Sequence, residues 1–279
     1  MSNVALKKKI VKDLMDTGFP LEISVSRKLE EAGWMVHNSP LYFDQEEKIP
    51  RELDIHAVDV DFSLAGKEKL KRTRKDGDMN KLISHLVIQC KKSSHPWIFF
   101  NNADLTWPRI PEVNFKSKHQ DFHGMLFEEL KDLGLSEHRY LNNSLHKTFH
   151  ESFTQPNKPS VIYDALITAH KALQHLKTRY ANDSRDVHLF IPMIVLDGTL
   201  WSANSKTSRS PVKVRRAERV LVQFNRLSDA DTGELWLEEE QIIEVIDHQA
   251  LHSVLKEIKK DSHMLYRCWT NYLSISTDE

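Results

Sequence analysis

Leu86-Val87-Ile88-Gln89-Cys90-Lys91-Lys92-Ser93 starts as a buried strand and then changes character. Three branched aliphatics in a row after His85 predict the strand. Side chains alternate along it, so Gln89 and Lys91 share a face with Val87, while Ile88 and Cys90 point the other way. An amide and an ammonium at the end of such a strand are costly to bury without partners. Partners stand upstream, where Arg51-Glu52-Leu53-Asp54-Ile55-His56-Ala57-Val58 reads as a second strand. Continuous alternation puts Glu52, Asp54 and His56 on one face and Leu53, Ile55 and Ala57 on the other. Side by side, the two strands gather carboxylate, amide and ammonium, the composition of a divalent-metal site with a cationic helper. His56 and His85, with no paired ligand by spacing, read as structural or solvent-facing.

Composition bounds the rest. At 279 residues the chain can bury a full core. Charge nearly cancels, 39 Lys+Arg against 40 Asp+Glu, so any basic binding surface is local. Cys90 and Cys268 are the only cysteines, which suits a reducing, cytoplasmic compartment and no disulfide framework. No apolar leader opens the chain and no long apolar run occurs, so neither a signal peptide nor a membrane span is expected.

In chain order, residues 3–16 predict a short helix stopping near Gly18, and Pro20 opens a second helix that runs to about Ala32. On it Glu22, Val25, Ser26, Leu29 and Ala32 recur at helical spacing, which sets Glu22 on or beside the inward stripe. It is either a first-turn acid favoured by the dipole or a functional carboxylate. A strand follows over 34–43 with a break at Asn38-Ser39-Pro40, and another over Ile49–Phe62 carries Asp54. Lys67, Lys69, Lys71, Arg72, Arg74 and Lys75 then form a basic run, either a solvated loop or a contact to phosphates. Residues 96–100 read as extended, 122–135 as a helix, and 101–157 as an insertion serving as a lid or partner surface. Ser160–Tyr180 is a helix with Ser160 as N-cap. Val187–Leu196 is a buried strand, which Asp197-Gly198 is expected to turn into a hairpin with 199–203. A basic loop carries Lys206, Arg209, Lys213, Arg215, Arg216 and Arg219; strands over 220–224 and 242–246, a helix over 247–260 and an aromatic tail complete the chain. The whole reads as one α/β domain with a mixed central sheet: core 18–100 and 158–203, insertion 101–157, and a strand-rich α/β extension over 204–279.

The order of helix with Glu22, hairpin strand with Asp54, strand with Gln89-x-Lys91, helix and strand resembles the restriction endonuclease-like fold of the PD-(D/E)xK nuclease superfamily, whose core is αβββαβ. It is most similar to the Mrr-like branch, in which Gln stands where most members carry Glu or Asp. The resemblance covers 18–92 closely and 160–203 loosely. It implies that Asp54 is the main metal carboxylate, Gln89 the amide variant of the second ligand, Lys91 the catalytic lysine and Glu22 the helix acid near the metal. It further implies a backbone ligand in the Cys90 carbonyl. Glu52 stands by as an accessory acid. Leu53 replaces the family's Pro, and thirty-four residues separate Asp54 from Gln89.

The implied activity is a Mg²⁺-dependent nuclease (Mn²⁺ as substitute) hydrolysing phosphodiester bonds, a DNA endonuclease in host or antiviral defence. Lys69, Lys71, Arg72, Arg74, Arg215 and Arg216 are the expected nucleic-acid contacts. With near-neutral charge, target choice is expected from a partner protein subunit, a homo-oligomer or the insertion. The alternative is a catalytically inactive nuclease-fold subunit that binds nucleic acid or a partner protein.

Overall fold

A computed structural model describes residues 3–59, 82–101, 114–116, 145–155, 160–180, 187–204, 211–224, 227–229, 235–237 and 241–275. The basic run with Lys69, Lys71, Arg72 and Arg74, the helix expected over 122–135, and Lys206 and Arg209 lie outside these residues.

Helix α1 (Asn3–Asp16) precedes α2 (Phe19–Glu31), which has Pro20 in its first turn. Gly33 follows it at φ 83°, a backbone state that favours glycine. The long hairpin expected next is broken in two. Its ends are β1 (Met35–Asn38) and β4 (Ile55–Asp59), which pair in the main sheet. Its tip, β2 (Leu41–Asp44) and β3 (Ile49–Glu52), forms a separate two-stranded ribbon. The chain bends at Ser39-Pro40 on one side and Leu53-Asp54 on the other. This corrects the alternation expected through 52–58. Leu53 packs with Val87, Leu173 and Leu176, whereas Ile55 and Ala57 join Val25, Leu29 and Leu86 in a different cluster. The ribbon is pinned through Asp44, which is 1% exposed. Its carboxylate accepts from Lys171 Nζ at 2.7 Å, from Arg51 Nε at 3.1 Å and from the amides of Glu46 and Glu47. Burial would raise its pKa, but Lys171 and the two amides hold it at about 2.

Strand β5 (Leu82–Lys92) runs antiparallel to β4 and parallel to β9 (Val187–Asp197). Between them in sequence come β6 (Trp97–Asn101), β7 (Asn114–Lys116), β8 (Leu145–Glu151) and α3 (Val161–Arg179), whose Ser160 side chain accepts from the Tyr163 amide as expected of a cap. After β9 come β10 (Leu200–Asn204), β11 (Lys213–Arg216), β12 (Arg219–Phe224), the small pair β13 (Leu227–Asp229) and β14 (Leu235–Leu237), and β15 (Gln241–Asp247). Helix α4 (Leu251–Ile275) is far longer than the 247–260 expected, because the aromatic tail continues it. The sheet order is β1-β4-β5-β9-β15-β12-β8-β6-β10-β11, with β7 on β9. Leu21, Val25 and Leu29 of α2 and Leu251, Leu255 and Ile258 of α4 cover one face of β4 and β5. Ala172, Leu173 and Leu176 of α3 cover the other. Among the described residues, no helix is long and apolar enough to cross a membrane.

The hairpin expected at Asp197-Gly198 does not form. β9 and β10 lie five places apart in the sheet, yet only Gly198 and Thr199 join them. Five strand spacings on a flat sheet span about 24 Å, while that link reaches about 10 Å. The sheet therefore coils, and the parallel pair β5/β9 continues round a corner into the parallel pair β6/β10. Ser93 N–H to the Asp197 carbonyl (3.0 Å) and Trp97 N–H to the Thr199 carbonyl (2.9 Å) stitch the corner. Inside the coil Trp97, Phe99, Leu200, Val222 and Ile243 pack with Ile162 and Leu166 of α3. Gly198 leaves no room at this corner, since a Cβ would sit 2.7 Å from the Ser93 carbonyl oxygen. Gly198→Ala is therefore expected to cost about 1–3 kcal/mol in urea unfolding, as other overpacked sites do.

Candidate functional site

Asp54 stands at the bend where β4 parts from β5. The register pairs Ile55 with Ile88, so the next partner of Cys90 would be Leu53. The chain has already turned away there, and the Asp54 carboxylate takes the vacated ladder position, accepting the Cys90 amide at 2.6 Å. The Asp54 carbonyl accepts from Ser39 N–H (2.9 Å), and Leu53 N–H donates to the Pro40 carbonyl (3.0 Å). Backbone bonds thus fix the acid from both sides.

Gln89 and Lys91 follow on the α3-facing side of β5. Gln89 is 2% exposed, and its Nε2 has no hydrogen-bond partner. Its amide nevertheless lies close enough to help lower the Asp54 pKa. Burial dominates at Asp54 and leaves its carboxyl above the usual range, against the Cys90 amide and the Lys91 ammonium, while Glu52 adds to the rise. Glu22 comes from the first turn of α2. Its carboxyl is also raised, by burial first and then by the negative charges of Asp54 and Glu52, with Lys91 opposing. A Cβ on Gly18 would lie 3.1 Å from Glu22 Oε1, so the glycine clears the space this acid occupies. Lys92 Nζ donates to the Met15 carbonyl at 2.6 Å, tying the last turn of α1 to the end of β5.

The fold therefore places Glu22, Glu52, Asp54, Gln89 and Lys91 in one electrostatically coupled group, with Glu52 exposed at its margin. The Cys90 thiol lies on the face of β5 opposite Gln89 and Lys91, the face that α2 covers. Burial, Asp54 and Glu22 push its pKa well up, so it is no thiolate nucleophile.

Among the described residues no three or more His, Cys, Asp or Glu side chains are grouped to cage a metal. The donor set fits a different regime. Mg²⁺ is commonly held by one or two carboxylates, with water and phosphate oxygens filling the remaining positions. Asp54 and Glu22 offer two such carboxylates, and a cation beside them would offset the burial and the negative charges that raise Glu22.

Arg215 and Arg216 lie on β11, all four residues of which are exposed at the sheet edge. Arg216 donates to Asp247 at 2.6 Å and to the Gly198 carbonyl at 3.4 Å. Gly198 abuts Ser93, two residues beyond Lys91, so the basic strand stands at the same end of the sheet as the acidic group.

One feature escapes sequence reasoning. His56, His85 and His188 are buried on the adjacent strands β4, β5 and β9. His56 Nε2 lies 3.1 Å from His85 Nδ1, and His85 Nε2 lies 2.9 Å from His188 Nδ1. The exposed His37 ring stacks beside His56 at 6.0 Å. Sequence spacing could not show this row, because it exists only in the pairing register. Comparison with known protein families, characterised proteins and solved structures finds no match to this chain.

Proposed function

We propose that the chain is a Mg²⁺-dependent nuclease, a DNA endonuclease whose centre is Asp54, Gln89, Lys91 and Glu22. The observation that carries this reading is the Asp54 carboxylate on the Cys90 amide at the point where β4 leaves β5, with Gln89 and Lys91 beside it. With the ribbon β2–β3 and the intervening β6, β7 and β8 set aside, α2, β1, β4, β5, α3 and β9 follow the αβββαβ order of the resemblance, which supports the reading.

Asp54 and Glu22 would hold the ion, with the Gln89 side-chain oxygen and the Cys90 carbonyl as neutral donors. Bound Mg²⁺ supplies Lewis acidity toward a phosphate oxygen and acidifies water. The chain's own part is charge and position. The Lys91 ammonium stabilises hydroxide and the negative charge that builds on the phosphate in the transition state. Asp54, fixed through its carboxylate and its carbonyl, needs little rearrangement on binding. β11 and the run 67–75 would meet the nucleic-acid backbone, and a partner subunit or second copy would choose the target. One observation favours a second reading, a catalytically inactive nuclease-fold subunit: the second-ligand position is a neutral amide with an unpartnered Nε2.

Calorimetric titration of Mg²⁺ and Mn²⁺ separates the two. Wild type is expected to bind and Asp54→Asn to lose binding; no binding by wild type selects the inactive subunit. The same variant carries a second expectation. An acid with a raised native pKa contributes stability below its ordinary pKa and loses it as pH rises through the native value. At neutral pH the ionised Asp54 thus opposes folding, so Asp54→Asn, which still accepts the Cys90 amide, should raise Tm in EDTA.

A further inference from the structure

A cavity of about 410 Å³ opens between the β11–β12 turn and α4, with Arg215, Arg216, Arg219, Ser202, His146 and Glu257 in its wall. It is separate from the Asp54 group, and its Arg215 and Arg216 are the β11 residues proposed above to meet a nucleic-acid backbone, a reading that this inference deepens without relying on the metal centre. Its size falls within the range of small-ligand sites.

Two of its arginines are held in place. Arg216 is fixed by Asp247, and Arg219 donates to Glu257 at 2.6 Å. Arg215 forms no ion pair with a described carboxylate and is exposed. It pairs across the ribbon with Ser202, so both side chains stand on one face. With His146 as a neutral imidazole, one proton pattern satisfies the contacts below them. The Leu221 carbonyl can only accept, so the His146 nitrogen 3.3 Å away, Nδ1, carries the hydrogen. Nε2 is then the acceptor, and the Ser202 hydroxyl donates to it at 2.9 Å. With its proton committed, the Ser202 oxygen offers lone pairs toward the cavity. The wall thus combines one guanidinium without an ion-pair partner among the described carboxylates, Arg215, with one hydroxyl oxygen set to accept from a ligand's O–H or N–H.

We propose that this cavity binds the phosphate of a nucleotide, with Arg215 as the cation that meets it and Ser202 as acceptor for a sugar hydroxyl or base N–H. Glu218 also reaches the wall, so selectivity comes from the planar fork of the Arg215 guanidinium, which matches phosphate oxygens in pairs, rather than from net charge. The phosphate has two possible sources, a free nucleotide or a nucleic-acid strand crossing from the Lys91 end of the sheet. The inference does not depend on the metal centre.

The test is calorimetric binding of AMP and of a short single-stranded oligonucleotide to the full chain in low salt with EDTA, which keeps divalent ions out. Arg215→Ala, Ser202→Ala and Glu218→Gln are compared with wild type after thermal unfolding shows each to be folded. Arg215→Ala is expected to weaken binding about tenfold or more, the scale of one charge-assisted hydrogen bond. Glu218→Gln should tighten it. Loss on both ligands assigns the site to the phosphate whatever its source. Loss on AMP alone identifies a free-nucleotide site, and loss on the oligonucleotide alone identifies a strand contact. Wild type that binds neither ligand, or binding unchanged in Arg215→Ala, overturns the proposal.

Discussion

Lys91→Ala is expected to lower the single-turnover cleavage rate of duplex DNA by about 10²- to 10³-fold, the usual effect of removing one group that stabilises transition-state charge. Mg²⁺ affinity should stay within a few-fold of wild type, because ammonium is not a ligand. The combination is diagnostic. Lys91 is half-buried on the same face of β5 as Gln89, and its charge lowers the pKa of both Asp54 and Glu22. A residue that merely balanced those carboxylates would, on removal, change metal affinity and the pH profile while sparing the rate under saturating metal. Unchanged cleavage in Lys91→Ala at saturating Mg²⁺ would remove the lysine from the chemistry.

The histidine row gives the second large effect, on stability. Burial first, then the neighbouring His37 and Arg179, push the His56 pKa down to about 4. Burial, then His56 and His188, push His85 to about 2. A histidine whose native pKa lies below its unfolded value contributes stability that is complete above about pH 6.5 and is lost as pH falls toward the native value. At pH 5 a ring that stays neutral in the fold has forfeited about 2 kcal/mol relative to neutral pH. Wild type should therefore lose stability steeply between pH 7 and pH 5. His85→Phe removes the middle ring, where Phe190 and Tyr180 already stack at 4.7 and 4.8 Å. It removes the ring contact that His56 Nε2 and His188 Nδ1 each make to His85, so it should cost about 2–4 kcal/mol at pH 8 while flattening the acid limb. Parallel acid limbs for wild type and His85→Phe in urea unfolding would mean that the row does not set the pH dependence.

Much of this arrangement could be read from the residues, for identifiable reasons. The change of character in β5 was legible because three aliphatics and a Gln-x-Lys pair force a buried strand to end at a polar place. Helices α2 and α3 were legible because Pro20 and Ser160 act through local backbone chemistry. What failed was whatever depends on distant pairing. The bend at Leu53-Asp54 breaks the two-residue alternation, and the contact that ties the bent-away ribbon to α3, Asp44 to Lys171, spans more than a hundred residues. Asp197-Gly198 looks like a hairpin turn, yet its job is to carry a strand round the corner of a coiled sheet. The histidines gave no spacing signal because each sits on a different strand. The Asp54–Cys90 contact also depends on that bend: a continuous strand would have paired Leu53 with Cys90 and turned the acid aside.

Asp54, where β4 leaves β5, is proposed to make this chain a metal-dependent phosphodiesterase. The most direct measurement is conversion of supercoiled plasmid by the purified full chain with Mg²⁺, with EDTA, and with Asp54→Asn in Mg²⁺. Nicked and linear product from wild type in Mg²⁺ alone is the result predicted here. Cleavage that persists in EDTA or in Asp54→Asn, or intact plasmid from a wild type shown to bind Mg²⁺, would contradict it.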